Sequence, residues 1–229
     1  MKPMSHAFPG LNVVVTGATG ELGAAVARKL LDAGAIVHVP ARDPAKADPR
    51  VHAVLVSDLA DESAVAAFYA GLPPLWASIH CAGGFAMSPI DETKFADLRA
   101  MIHMNTVSAF LCCREAIKAM RGRGGRIVNV AAQAGIEPRR GSGMAAYAAS
   151  KAAVAAITLS LAEEVAAEGI WVNAVAPSIM DTEANRRAMP NADHSKWPKL
   201  DEVASTIVFL ASPQNAATRA ALVPVYGKS

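Results

Sequence analysis

Residues 13–31, VVVTGATGELGAAVARKLL, run from a β-branched apolar segment through three glycines, Gly17, Gly20 and Gly23, into an alanine-rich stretch of helical composition. A strand that turns this tightly into a helix leaves the helix N-terminus beside the strand's carboxyl end. Glycines there let the backbone turn sharply and let phosphates approach the unpaired N–H groups at the positive end of the helix dipole. A tight turn with no ligand uses the same glycines. What favours a nucleotide is the place of this turn, after the first strand and before a helix whose alanines can pack closely on a sheet.

The alternation continues along the chain. Apolar runs LNVVVTG, AIVHVPA, VHAVLV, LWASIHCAGG, GRIVNVAA, IWVNAVAP and AALVPVYG are separated by helical stretches that include 21–33, 61–70, 94–120, 147–168 and 201–211. Right-handed crossovers put such helices on both faces of a parallel sheet. The pattern predicts an α/β fold, a single Rossmann-type doubly wound domain over 1–229 with a seven-stranded, mainly parallel sheet. No repeat or linker divides it. The Pro-rich region 177–199 is expected to loop over the carboxyl edge of the sheet, with a short substrate lid at about 178–199. Trp197 either closes that lid or anchors its packing.

Composition narrows the partners. Hydrophobic residues make up 52% of the chain, enough for a large core, and a net charge of +2 gives no field suited to nucleic acid or an acidic membrane. A small-molecule substrate and further copies of the chain remain. Cys81, Cys112 and Cys113 show no C-x-x-C spacing and read as reduced thiols, small and buried, in a cytoplasmic protein. The N-terminal stretch has no signal-peptide pattern, and no segment approaches the roughly 20 uninterrupted apolar residues of a membrane span. His6, His38, His52, His80, His103 and His194 are scattered without ligand spacing, so no metal is expected.

The end of the second apolar run selects the dinucleotide. An acidic residue there would bond the adenosine ribose hydroxyls, but the chain has Ala41 followed by Arg42. A guanidinium pairs with a 2′-phosphate, so NADP(H) is preferred and NAD(H) remains possible. The competing role for Arg42 is a surface bond to Asp43. Asp58, after the third run, either holds the adenine amino group or caps a helix.

In AAYAASKAAVAA, residues 145–156, Tyr147 and Lys151 are four apart. On a helix of about 3.6 residues per turn they share one face. An isolated phenol titrates near about 10, and a cation within about 4–6 Å lowers that value. By spacing alone the two can act as a pair, or the phenol packs on the core beside a solvated lysine.

These residues resemble the short-chain dehydrogenases/reductases along nearly the whole chain, through TGATGELG, SDL, CAGG, the MN of 104–105, IVNV, YAASK, VNAVAPS with Thr182 five residues after Pro177, and RAALVPVYGK. The resemblance implies that Tyr147 is the general acid/base, that Lys151 lowers its pKa and holds the nicotinamide ribose, and that Asn105 supports a proton-relay water. It also implies cofactor contacts from Gly17, Thr19, Gly20, Glu21, Leu22 and Gly23, from Asp58 and Leu59, from Ala82, Gly83 and Gly84, and from Pro177, Ser178, Ile179 and Thr182. A homodimer or homotetramer follows from the same likeness and from the small residues on helices 94–120 and 147–168.

Two positions depart from the family pattern. Glu21 stands where a glycine is usual. Ala132 stands where a serine would polarise the substrate carbonyl, and the loop to Tyr147 is about two residues longer. Gln133 or Ser142 is the candidate substitute. The dihydropteridine reductase branch shares both departures, the GMxxY approach to the tyrosine and the elements of MDTEANRRAMPNADHSKW. That branch prefers NADH and lacks the asparagine found here as Asn105, so it informs the site's shape more than its substrate. The expected activity is hydride transfer to a carbonyl or quinonoid pterin-like molecule. The alternatives are a non-catalytic NADP(H)-binding sensor or interaction protein and a ketoacyl or sugar-alcohol oxidoreductase. Arg139 and Arg140 select an anionic substrate, brace a subunit contact or lie in an exposed loop. Phe85, Met144 and Met180 line an apolar pocket or simply pack.

Overall fold

The computed structural model describes residues 7–228. His6 and the start of the stretch read for a leader lie outside the described residues. Seven strands form one sheet in the order β3-β2-β1-β4-β5-β6-β7, and every pairing is parallel. They are β1 (Asn12–Thr16), β2 (Ile36–Ala41), β3 (His52–Leu55), β4 (Leu75–His80), β5 (Gly125–Val130), β6 (Ile170–Pro177) and β7 (Leu222–Val225). In β1, Val13 and Val15 join one buried cluster and Val14 the opposite one, as the two-residue period of a strand covered on both faces requires.

The first face is covered by α1 (Glu21–Asp32) and α8 (Leu200–Ala211), whose Val26, Leu30, Ile207 and Leu210 pack with Val13 and Val15. The second is covered by α2 (Glu62–Ala70), α4 (Ser108–Met120) and α6 (Ala145–Glu164), with Val65, Leu111, Ala116 and Ala162 against Val14, Ile127 and Val172. The chain reverses its direction of travel across the sheet between β1 and β4. A crevice opens there, outside the strands' carboxyl ends, where open α/β sheets bind ligands.

The long helix expected at 94–120 is three pieces: α3 (Phe95–Met101), a π-helical turn at Ile102–Val107, and α4. Two short helices went unforeseen, α5 (Gln133–Ile136) and α7 (Glu183–Ala188). Each has too few residues to display an apolar period. The helix predicted at 147–168 starts at Ala145 and ends at Glu164. By length and composition α6 alone among the described helices would reach across a membrane, but here its buried face, including Val154, Ala155 and Ala162, packs inside the domain.

Region 178–199 is tied down at its far end. Trp197 is 8% exposed and its ring lies 4.5 Å from that of His194. Asp181 N donates to Pro198 O, and Lys228 N to Lys196 O. Trp197 is thus the packing anchor of the two roles considered for it.

Candidate active site

The β1–α1 turn is built by close approach. Gly17 has φ +70°, and a β-carbon on it would lie 2.7 Å from Ala82 N, in the segment that follows β4. A β-carbon on Gly23 would overlap the Gly17 carbonyl. These two glycines bring the α1 N-terminus down onto the switch point. Gly20 occupies the N-cap without any side-chain cap, so the first-turn N–H groups are not claimed by a cap side chain.

A cavity of about 570 Å³ opens beside this turn. Gly17, Thr19 and Gly20 border it on one side, Ala82 and Gly83 on another, and Arg42, Asp58 and Leu59 at the end toward β2 and β3. Of the other expected cofactor residues, Glu21, Leu22, Gly23, Gly84, Tyr147, Lys151, Pro177, Ser178, Ile179 and Thr182 are not on its wall. Leu22 and Gly23 are buried where α1 meets the sheet. Ser178 Oγ donates to Tyr226 O at 3.1 Å, and Thr182 Oγ1 caps α7 by accepting from Asn185 N at 3.1 Å.

The polar groups at the β2–β3 end settle two alternatives. Asp43 pairs with Lys46 at 3.4 Å, not with Arg42, whose exposed guanidinium has no ion-pair partner among the described residues. Asp58 does not cap α2. Asp61 does, accepting from Ser63 N and Ala64 N. Asp58 instead accepts from Ala60 N at 2.8 Å and from His103 Nε2 at 2.9 Å, and those two bonds, the Ala60 one first, hold its carboxyl below the usual range.

Asn105 is 1% exposed in the π-helical turn. Its Oδ1 accepts from Gly84 N at 2.9 Å, and its Nδ2 donates to Gly84 O at 3.1 Å and to Ser150 Oγ at 3.0 Å. Ser150 Oγ in turn donates to Tyr147 O at 2.7 Å. One amide thus pins the segment after β4 to the first turns of α6. Widened turns of this kind are frequent at functional sites.

Lys151 is 6% exposed and donates to Val130 O at 2.7 Å. Its Nζ stands 3.4 Å from where a Gly83 β-carbon would be, so the ammonium lies behind Gly83, a residue of the cavity wall, and is not itself on that wall. Burial pulls its pKa down to about 8, against a small opposing effect of Cys81. The expectation that Lys151 makes Tyr147 acidic is not met in this state: burial raises the phenol to about 12, with no offsetting charge. The lysine's charge is directed at a backbone carbonyl, and desolvation dominates.

Above Tyr147, the ring of Phe85 makes an edge-on contact, centroids 4.9 Å apart and planes at 78°. Phe85 is 61% exposed and Met87 64%, so both offer apolar surface outward. Met180 packs against the core cluster of the first face, and Met144 is the N-cap of α6. Ala132 is buried and brings no hydroxyl. Gln133 Nε2 donates to Glu137 Oε2 at 3.4 Å, Glu137 Oε1 accepts from Tyr226 Oη at 2.8 Å, and Ser142 is exposed. Arg139 and Arg140 are exposed, Arg140 lying 3.6 Å from Glu137. Sequence reasoning missed Ala100, His103, Met104 and Ser108 on the cavity wall. The i, i+4 spacing of Ala100, Met104 and Ser108 was the available signal.

Among the described residues no group of three or more His, Cys, Asp or Glu side chains could hold a metal ion. The profile of the short chain dehydrogenase family matches residues 11–193. The cis-4-hydroxycyclohexanecarboxylate dehydrogenase of Sinomonas cyclohexanicum is 36% identical, with 98% of each chain covered. The 3beta-hydroxysteroid dehydrogenase of Mediterraneibacter gnavus is 33% identical over 77% of this chain and 68% of its own length. A Beutenbergia cavernae protein assigned as an NAD(P)-dependent gluconate 5-dehydrogenase, solved with NADP at low occupancy, superposes with a TM-score of 0.88 at 28% identity, covering 97% of this chain and 98% of that one. The chain belongs to the short chain dehydrogenase family of oxidoreductases.

Proposed function

We propose that this enzyme transfers a hydride between NADP(H) and a carbonyl or quinonoid pterin-like ring compound, with Tyr147 as general acid/base. The observation that carries the reading is that one helix, α6, holds Tyr147 against the exposed Phe85 ring and, one turn on, the buried Lys151 close behind Gly83 of the cavity wall. A phenol raised to about 12 keeps its proton at neutral pH. It is therefore ready to protonate an alkoxide developing during reduction. The ammonium of Lys151, with a pKa of about 8, is largely charged at neutral pH and stabilises the phenolate left behind. Asn105 holds Gly84 and α6 in register, keeping the turn that carries phenol and ammonium beside the segment after β4.

The residues fit the dinucleotide. The uncapped α1 N-terminus with Gly17, Thr19 and Gly20 suits a pyrophosphate, Asp58 and Leu59 suit adenine, and the unpaired Arg42 beside Ala41 suits a 2′-phosphate. Bound nicotinamide supplies or accepts the hydride. NAD(H) fits the same cavity but leaves Arg42 without an anion.

Relatives named for a steroid and for a cyclohexanecarboxylate support a ring-shaped substrate. Phe85 and Met87 provide the apolar surface on which a flat ring would lie. The absence of a hydroxyl at Ala132 favours an acceptor that is already electron-poor, as a conjugated quinonoid ring is. We take the enzyme as cytoplasmic, with its three cysteines free, and as a homodimer or homotetramer joined through α4 and α6.

The test is NADPH binding by fluorescence, followed by turnover with cyclic ketones, quinones, quinonoid dihydropterin, ketoacyl esters and sugar ketoses. Tyr147→Phe is expected to lower kcat by about 10³-fold while leaving NADPH affinity unchanged within about threefold. Tight NADPH binding with no turnover on any member of the panel would sink the enzymatic reading in favour of the sensor, for which Ala132 argues.

A further inference from the structure

A second cavity, of about 490 Å³, lies at the amino edge of the sheet, opposite the crevice. The turn 122–125 after α4 and the turn 167–169 after α6 border it, with Trp76, Arg123, Arg126 and Glu168 on its wall. The two turns meet closely. Gly125 N donates to Gly169 O at 3.2 Å, and a β-carbon on Gly124 would lie 3.0 Å from the same oxygen. We propose that this cavity binds a small oxyanion, a carboxylate or a phosphate group, between the buried Arg126 and the exposed Arg123.

Arg126 carries the argument. On β5 it shares a face with Val128, the face covered by α8, and only 9% of it is exposed. Indoles from the neighbouring strands flank its guanidinium, with Cζ 4.1 Å from the ring centroid of Trp171 and 5.2 Å from that of Trp76. Nη1 donates to Gly125 O at 2.9 Å and Nη2 to Asn215 O at 3.1 Å. A guanidinium carries five N–H groups, so these bonds leave three of them over. Among the described residues, Nε of Arg126 is the one buried side-chain nitrogen or oxygen with no hydrogen-bond partner.

Arginine is seldom buried without a carboxylate beside it, because a charge taken out of water needs a counter-charge. Here burial pulls the guanidinium below its ordinary pKa and no carboxylate acts against it. The two indole faces and the two carbonyls supply partial charges only. Glu168, the acidic residue on the wall, pairs with Arg121 at 3.2 Å instead. Arg123 is exposed and has no ion-pair partner among the described residues. The wall therefore presents two cations without a carboxylate, one desolvated and one in water, and a buried donor without an acceptor is costly unless a ligand provides one. Carboxylate and phosphate oxygens accept from guanidinium N–H groups through short, charge-assisted bonds.

The cavity is separate from the one assigned to the dinucleotide, so this proposal stands apart from the function proposed above. The experiment is calorimetric titration of the full chain with sodium benzoate and with inorganic phosphate, in excess NADPH and against a chloride background that cancels general screening. At least one of the two is expected to bind the parent with a Kd of about 1 mM or tighter. Benzoate alone would identify an organic carboxylate as the ligand, and phosphate alone a phosphate group. Arg126→Met keeps a flexible apolar chain between the indoles, and is expected to fold and to weaken binding by about tenfold or more. Arg123→Gln, on an exposed turn, is expected to weaken it by about threefold. Binding of neither anion to the parent, or an affinity that either folded variant leaves unchanged, overturns the proposal. If Arg126→Met does not fold, Arg123→Gln decides. The variants locate the anion whether or not NADPH binds, so failure of the cofactor reading leaves this test intact.

Discussion

Lys151 shows how little a residue's chemistry is contained in its letter. The Y-x-x-x-K spacing was enough to predict that phenol and ammonium share a helix face. Their pKa values were not legible, because they depend on how β5 and the segment after β4 close over α6. The folded value of Lys151, about 8, lies below the ordinary 10.5. Between these values the unfolded chain holds a proton that the folded chain has released, so this group's contribution to stability rises with pH across that window. The proposed reduction uses the charged form, and on that proposal kcat/KM is expected to fall as pH rises through about 8 in steady-state assays. Lys151→Met removes a desolvated cation at the loss of one bond to Val130 O. The cofactor-free variant is expected to melt at or above the parent's temperature at pH 7 while turnover drops by about 10³-fold. At the other end of the cavity, Arg42→Ala is expected to weaken NADPH binding by about 10- to 100-fold and to leave NADH binding nearly unchanged in fluorescence titrations. Equal losses for both cofactors would remove Arg42 from the 2′-phosphate site.

At the level of elements, the glycine turn was readable and the π-helical turn was not. Gly17, Gly20 and Gly23 mark a strand-to-helix junction by their spacing alone, whereas the interruption of 94–120 falls where Asn105 reaches across to Gly84 and Ser150, long-range contacts with no local signature. Asp61 and Asp58 make the same point. Either acidic residue suits the approach to α2, and only the observed bonds to Ser63 N and Ala64 N assign the cap. The β1–α1 packing carries a direct consequence. A β-carbon on Gly23 meets the backbone of Gly17 and Ala18, which cannot move without lifting α1 from the sheet. Gly23→Ala is expected to cost about 2 kcal/mol or more in denaturant unfolding and to weaken NADPH binding, because the same displacement opens the turn proposed to hold the phosphates. A variant as stable as the parent would show that the turn adapts.

For the whole molecule, the faces left outside the core carry the remaining prediction. Phe110 on α4 is 46% exposed and Leu159 on α6 is 40% exposed. Sedimentation is expected to give a dimer or tetramer of the 23.8 kDa chain. Leu159→Glu is expected to shift it to a smaller species that still binds NADPH. A parent that sediments as a monomer would end that assignment. The sequence by itself determined the class of fold, the seven strands, the glycine turn and the shared helix of Tyr147 and Lys151, because periodicity, glycine placement and i, i+4 spacing are local consequences of backbone geometry. Tertiary structure alone decided the strand order that opens the crevice, the partners of Asp58, Asn105 and Lys151, and the protonation of the phenol. Those depend on which distant segments are brought together and how much water they exclude, and no window of neighbouring residues contains that information.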